Sequence, residues 1–342
     1  MLPARTKELA AVLEKAMRAS SGLKTLRASA SASPFQALVH DYYLPIFAWA
    51  ESQYDCLNPP AATTKTCLVL GLSCVQGGGK TTMTSYLELL FKATGKNCAV
   101  LSIDDVYYTR DGQRRVAEAH PGNPLLEFRG NPGTHDVDLL LDIIAQAKQG
   151  ADVVVPRYDK SAFEGRGDRA PQDAWQHHTG PLDVLVIEGW CLGFEASNLP
   201  LYVSQLHAAR VYLHRRRRSH RHLGPVNEAL KDFDRIYAEL AAMLVIQVPD
   251  AHCVYTWREE AEADMRTQGK PGMTSAQVAD FVDRFMPAYD AYLQRFYAAM
   301  NTSRDGRGLA QKPRLVARID RQRTCVAVQT YAGGVVTPTG SS

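Results

Sequence analysis

Three consecutive glycines followed by Lys80 and Thr81 stand between a compact apolar run and a helical repeat, a join that few folds accept. The run Thr66–Gly71 enters "GLSCVQGGGKTTM" (Gly71–Met83). Beyond it Met83, Tyr86, Leu87, Leu90 and Phe91 recur at helical spacing, and Gly95 closes the helix. A strand that empties through glycines into a helix N-terminus is the context of a phosphate-binding loop. Backbone N–H groups of Gly77, Gly78, Gly79 and Lys80 would point at an anion, assisted by the positive end of the helix dipole. Lys80 would reach the β- and γ-phosphates, and the Thr81 hydroxyl would ligate Mg²⁺. The candidate nucleotide-binding set is Gln76, Gly77, Gly78, Gly79, Lys80, Thr81 and Thr82. One position departs: G-x-x-x-x-G-K-[ST] asks for glycine where Cys74 stands. That glycine permits a turn, and a small residue can stand in; a Gly-rich turn without a ligand is the alternative reading.

Further short apolar runs follow at Cys98–Ile103, Asp152–Val155, Val184–Ile187 and Leu244–Val248, none with polar alternation. Alternating with helices, of which Val137–Gln149 capped by Asp136 or a neighbour is the clearest, they predict a parallel sheet covered on both faces. Thr274 and Gln277 form a capping box ahead of Val278, Phe281, Val282, Phe285, Tyr289, Leu293 and Phe296, one apolar stripe that predicts a long amphipathic helix serving core packing. The fold class is α/β, with an N-terminal helical extension and a helical lid on the sheet.

Composition narrows the function. A net charge of +3 over 342 residues gives no global nucleic-acid-binding character, and no apolar stretch is long enough for a membrane helix. The seven cysteines are scattered, with no C-x-x-C pair, which argues for a reducing compartment and against a disulfide scaffold or a zinc site. Residues 1–34 stand apart as an arm: Thr6–Arg18 has helical character, and Arg18–Pro34 is rich in Ser, Ala and Arg with no acid, as in a transit segment or a linker. The main domain is expected over 35–330 and a disordered tail over 331–342. "HRRRRSHRH" (His214–His222) reads as a solvated connection rather than a nucleic-acid patch, and the expected chain is a monomer acting on a small molecule.

The chemistry gathers around carboxylates at strand ends. "LSIDDVYY" (Leu101–Tyr108) puts Asp104 and Asp105 where open parallel sheets bind ligands, with Asp104 as base or metal-water holder and Asp105 as helper; a helix N-cap pair is the other reading. "VLVIEGW" (Val184–Trp190) ends a strand in Glu188, suited to hold Mg²⁺ through water, or else to a structural salt bridge. Thr81, Glu188 and Asp104 make the expected metal set. "LLEFRGNPGTHD" (Leu125–Asp136) and "VPRYDKSAFEGRGDRAP" (Val155–Pro171) supply Arg129, His135, Asp136, Arg157, Tyr158, Lys160, Arg166 and Arg169 as the substrate-binding set. So many cations suit a small carboxylate or phosphate acceptor. In "YTWREEAEADMRTQGKPGMT" (Tyr255–Thr274), Arg258 is the preferred lid cation, the alternative being a helix-surface pair with a glutamate.

Together with "YYLPIFAW", "IEGWCLGF" and "GMTSAQVADFVDRFMPAYDAYL", these strings resemble, in the same order over about residues 40–300, the plant-type D-glycerate 3-kinase family. That family belongs to the P-loop kinases grouped with uridine and pantothenate kinases. The resemblance implies ATP-dependent phosphorylation of the D-glycerate 3-hydroxyl to 3-phosphoglycerate, the closing step of photorespiration, in the chloroplast stroma; a cytoplasmic location is the alternative. Lys80, Thr81, Asp104 and Glu188 match its positions for phosphate, metal, base and metal shell, and a small residue at Cys74 is normal there. Val75, Gly78, the "HRRRRSHRH" insertion and the end "RIDRQRTC" (Arg318–Cys325) depart from its pattern. A thiol-sensing role for Cys74, through a pKa lowered by the nearby helix N-terminus, is the open question at the loop.

Overall fold

The computed structural model describes residues 4–19, 36–197, 222–269, 272–302 and 308–332. Helix α1 (Ala4–Ala19) buries Ala10, Leu13 and Met17. A π-helical segment, Leu38–Tyr43, runs into α2 (Leu44–Leu57), which buries Ile46, Phe47 and Ala50. Arg5 and Lys96 both donate to the buried Glu51 of α2 (2.5 and 2.8 Å), so α1 is tied to the body of the protein by charge as well as by packing. Residues 20–34, the basic stretch 214–221 and the tail from 333 lie outside the described residues.

Strand β1 (Leu68–Ser73) leads through the glycine loop to α3 (Lys80–Ala93), and β2 (Cys98–Ser102) to a 3-10 turn at Ile103–Val106. After α4 (Arg110–Ala119) comes α5 (Val137–Lys148), whose first turn is capped as expected: Leu139 N–H donates to the Asp136 carboxylate (3.1 Å). Four short strands follow: β3 (Val153–Val155), β4 (Tyr158–Asp159), β5 (Asp168–Arg169) and β6 (Gln176–His178). They are followed by β7 (Val184–Gly189), α6 (Leu223–Glu239), β8 (Ala242–Gln247) and α7 (Cys253–Thr267). The chain continues through α8 (Ser275–Asp283), α9 (Met286–Ala288), α10 (Gln294–Met300), β9 (Arg314–Ile319) and β10 (Cys325–Tyr331).

The main sheet has the order β10-β9-β8-β1-β7-β2, parallel from β9 to β2 and antiparallel at the β10 edge. Its central strands β1 and β7 are buried along their whole length, which is why they read as unbroken apolar runs. Three expectations are corrected. Val153–Val155 does not join the main sheet but pairs antiparallel with β6, because the run is too short to cross it. The apolar stripe after Thr274 is not one helix. The capping box forms, but the helix stops at Asp283, where Phe285 and Pro287 begin a new segment, and a π-helical stretch, Tyr289–Leu293, separates α9 from α10. And β9 and β10, unread in the sequence, extend the sheet past β8.

Candidate active site

Register fixes the site. β7 lies between β1 and β2, so Glu188 pairs with Leu72 on one side and Ser102 on the other. The glycine loop, Glu188 and Asp104-Asp105 therefore leave the same carboxyl edge of three adjacent strands.

Gly77 and Gly79 adopt left-handed backbone (φ 77° and 96°), which wraps the loop around the start of α3. Gly77 is further constrained, since an added Cβ would sit 2.8 Å from Cβ of Trp257. The Lys80 ammonium donates to the carbonyls of Cys74 (2.9 Å) and Val75 (3.3 Å), which holds it across the loop. Thr81 and Thr82 are exposed on the first turn of α3. Cys74 answers the question its spacing raised: it is buried, and its sulfur would lie 2.3 Å from a Cβ added at Gly78. It fills the space beneath the loop. Burial pushes its thiol up to about 12, against the pull of Lys80, which is the opposite of the lowered pKa that thiol sensing would need.

Asp104 is gripped at both oxygens. Tyr107 Oη donates to Oδ1 (2.8 Å), and Lys160 Nζ pairs with Oδ2 (2.6 Å). Burial works to raise its pKa, but Lys160 and the Tyr107 bond outweigh it and hold the carboxyl below its ordinary value. Asp105 is turned otherwise: it takes Arg157 (3.0 Å) and the N–H of Tyr158 (3.3 Å), and with Ser102 it completes a capping box. Burial leaves its pKa raised despite those partners. The helix-cap reading thus describes the Asp105 side chain, while the Asp104 carboxylate is turned to Tyr107 and Lys160. Glu188 is buried, its carboxyl raised mainly by burial, and its Oε2 has no hydrogen-bond partner among the described residues. A buried carboxylate oxygen without a hydrogen-bond partner among the described residues, within reach of the charges of Lys80 and Asp104, and a Thr81 hydroxyl at the start of α3 are hard donors of the kind that fits Mg²⁺ retaining its waters. Among the described residues, no cluster of three or more His, Cys, Asp or Glu side chains forms a self-contained metal cage.

The two Arg-rich loops are occupied largely with each other. Arg129 donates to the carbonyls of Gly165 (2.9 Å), Arg166 and Lys160 (3.1 Å). Those bonds secure a turn in which Phe163 (φ 51°) and Glu164 (φ 59°) are both left-handed. Arg157 also bonds Gln176, Arg169 bonds Asp136 (3.1 Å) and the Tyr107 carbonyl (2.9 Å), and Arg166 lies over Phe128 (5.8 Å). Tyr158 is buried with its hydroxyl unpartnered among the described residues, under the Arg129 guanidinium (5.2 Å). His135 packs on Tyr107 (ring centroids 4.6 Å) with neither ring nitrogen hydrogen-bonded among the described residues, and burial lowers its pKa to about 4. Of the expected substrate cations, only Lys160 touches Asp104. Arg258 forms the alternative pair, with Glu262, although that glutamate is buried and also accepts the Met273 N–H (2.7 Å).

Some site residues escaped the sequence reading. Tyr107 gives its one hydroxyl proton to Asp104 and so orients that carboxylate, with the Gly130 carbonyl 3.4 Å from its oxygen, and Trp190 Nε1–H donates to the same carbonyl (3.2 Å). Tyr289, assigned to core packing, accepts the N–H of Gln76 at its hydroxyl (3.1 Å). Only tertiary contact reveals such roles, because each of these residues also fits an apolar stripe or strand end.

No family model matches the chain. A chloroplastic D-glycerate 3-kinase of Arabidopsis thaliana is 40% identical over 279 residues, 78% of this chain and 57% of that protein. A probable ATP-dependent kinase of Saccharomyces cerevisiae is 34% identical over 269 residues, covering 75% of this chain and 84% of the yeast protein. A solved D-glycerate 3-kinase of Cryptococcus neoformans superposes with a TM-score of 0.74 at 28% identity, over 84% of this chain and 99% of that one. The chain belongs to the D-glycerate 3-kinase family of P-loop kinases. The chain spans little more than half the length of the plant family member, 57%.

Proposed function

We propose that this chain transfers the γ-phosphoryl group of ATP to the 3-hydroxyl of D-glycerate, giving 3-phospho-D-glycerate and ADP. The observation that carries the reading is Asp104: a carboxylate held ionised by Lys160 and Tyr107, at the strand edge that also carries the phosphate loop. Each carboxylate oxygen keeps a free lone pair, so Asp104 can take the proton of an attacking hydroxyl. Lys80 neutralises charge that develops on the migrating phosphoryl group, and the loop amides orient the nucleotide. Glu188, Thr81 and Asp104 are the residues that would hold Mg²⁺, which would supply neutralisation of phosphate charge. In this reading Arg258 on α7, which pairs with Glu262, would be the lid cation that shields the transfer from water. The Arg-rich loops favour an anionic acceptor, and the kinship to the plant and fungal D-glycerate 3-kinases supports glycerate as that acceptor. The plant relative's name supports a chloroplast setting, where the proposed reaction would serve photorespiration; a cytoplasmic setting is the alternative.

Coupled ADP release measured on D-glycerate, L-glycerate, uridine and pantothenate tests this. D-glycerate should be turned over with the highest kcat/KM. Preference for another acceptor would make the chain a different small-molecule kinase of the group. ATP binding without turnover on any of them would point to a nucleotide-dependent switch. Asp104→Asn should bind ATP normally and lose transfer; full activity in that variant removes Asp104 as the base.

A further inference from the structure

The segment "RIDRQRTC", which departs from the family pattern, forms the turn between β9 and β10 and reaches the phosphate loop. Asp320 builds that turn: its carboxylate accepts the N–H groups of Gln322 (2.9 Å) and Thr324 (2.8 Å), and its carbonyl that of Arg323 (3.1 Å). Arg323 is thereby set in left-handed backbone at φ 65°, a conformation that disfavours an arginine unless the surroundings impose it. Its side chain is used three ways. Nε donates to the Gly77 carbonyl (2.9 Å), Nη1 pairs with Glu260 of α7 (2.9 Å), and the guanidinium plane lies over the Trp257 ring (4.8 Å). Trp257 in turn donates from Nε1 to the Arg321 carbonyl (2.9 Å) and presses against Gly77.

We infer that Arg323 is a positioning residue for the nucleotide. It fixes the Gly77 peptide from outside the loop and locks the phosphate loop to α7, the helix that carries Arg258. The peptide that joins Gly77 to Gly78 lies between two residues without side chains, so rotation there meets little steric resistance. A bond on its carbonyl removes that freedom before ATP arrives, so less ordering remains to be done on binding. Arginine suits the task and lysine does not. One planar fork reaches a carbonyl, a carboxylate and an aromatic face at once, whereas an ammonium would serve one of them. The inference rests on the loop binding a nucleotide and is independent of the acceptor.

The left-handed φ supplies a discriminating variant. Glycine adopts φ 65° without strain, so Arg323→Gly deletes the side chain while leaving the turn comfortable. Calorimetric titration of the full chain with ATP and Mg²⁺ should show Kd raised about tenfold, the scale of one lost charge-assisted hydrogen bond. The melting temperature without nucleotide should stay within about two degrees of wild type, on the scale of a surface substitution. Arg323→Lys should weaken ATP binding to nearly the same extent. Unchanged ATP affinity in Arg323→Gly, or a loss of affinity matched by a large fall in melting temperature, would overturn the inference. So would full rescue by lysine. Wild-type chain that fails to bind ATP would refute the nucleotide reading itself, a result read without either variant.

Discussion

The glycine loop draws its groups from one contiguous stretch, Gly77–Thr81, whereas the proposed acceptor side assembles Asp104, Tyr107, Arg129, His135 and Lys160 from segments far apart in sequence. The first works mainly through backbone, which glycines alone allow to bend as it must. The second works through side chains: Tyr107 and Lys160 bond Asp104, and Arg129 bonds the carbonyls of the neighbouring loop. A phosphate cradle is therefore legible as a motif, while an acceptor pocket is a negotiated arrangement in which most cations support the loop and few face the chemistry.

The comparison can be broken most sharply at Lys80. Lys80→Ala should lower kcat about 10²–10³-fold, as for loss of one transition-state donor, and leave the fold intact. Near-normal turnover would mean that the loop does not act on the transferred phosphoryl group. On the acceptor side, Arg129→Ala removes the three carbonyl bonds that hold the strained turn at Phe163 and Glu164. Acceptor KM should rise about tenfold while ATP KM stays within about twofold, and proteolysis between Lys160 and Arg166 should quicken. If instead ATP KM moves and acceptor KM does not, the two sides are not separable in the way described.

His135 gives a subtler readout. Its folded pKa of about 4 lies below the ordinary 6.5, so between those values the unfolded chain binds a proton that the native chain does not. Stability should thus fall as pH drops from about 6.5 to about 4, by up to about 3 kcal/mol from this residue. Urea unfolding of wild type and His135→Asn across that range checks it: the variant starts less stable at pH 7 but declines less steeply. Parallel pH profiles would show that His135 is not the cause.

The smallest effect is beneath the loop. Gly78→Ala places a methyl on the Cys74 sulfur and should cost about 1–3 kcal/mol; pairing it with Cys74→Ala should recover about 1 kcal/mol. Additive costs would end the space-filling account of Cys74. With its thiol raised by burial, mild oxidation should leave activity unchanged.

Periodicity, caps and turn glycines made much of this protein legible in its chain. The β1–loop–α3 unit, the Asp136 cap, the capping box at Thr274 and the carboxylates at strand ends all follow from short-range rules, and all are present. Each depends on residues within a few positions of one another, where sequence spacing is spatial spacing. Tertiary structure decided the rest. It set Asp104 apart from its neighbour Asp105, by giving one a lysine and a tyrosine and the other an arginine and a cap. It turned Arg129 from a substrate clamp into a loop clamp, brought Tyr289 onto the phosphate loop, and carried Arg323 to Gly77 across 246 positions. Such pairings are chosen by which surfaces meet when the sheet closes. No local pattern encodes that, because the same arginine or tyrosine suits an exposed surface or a core stripe equally well.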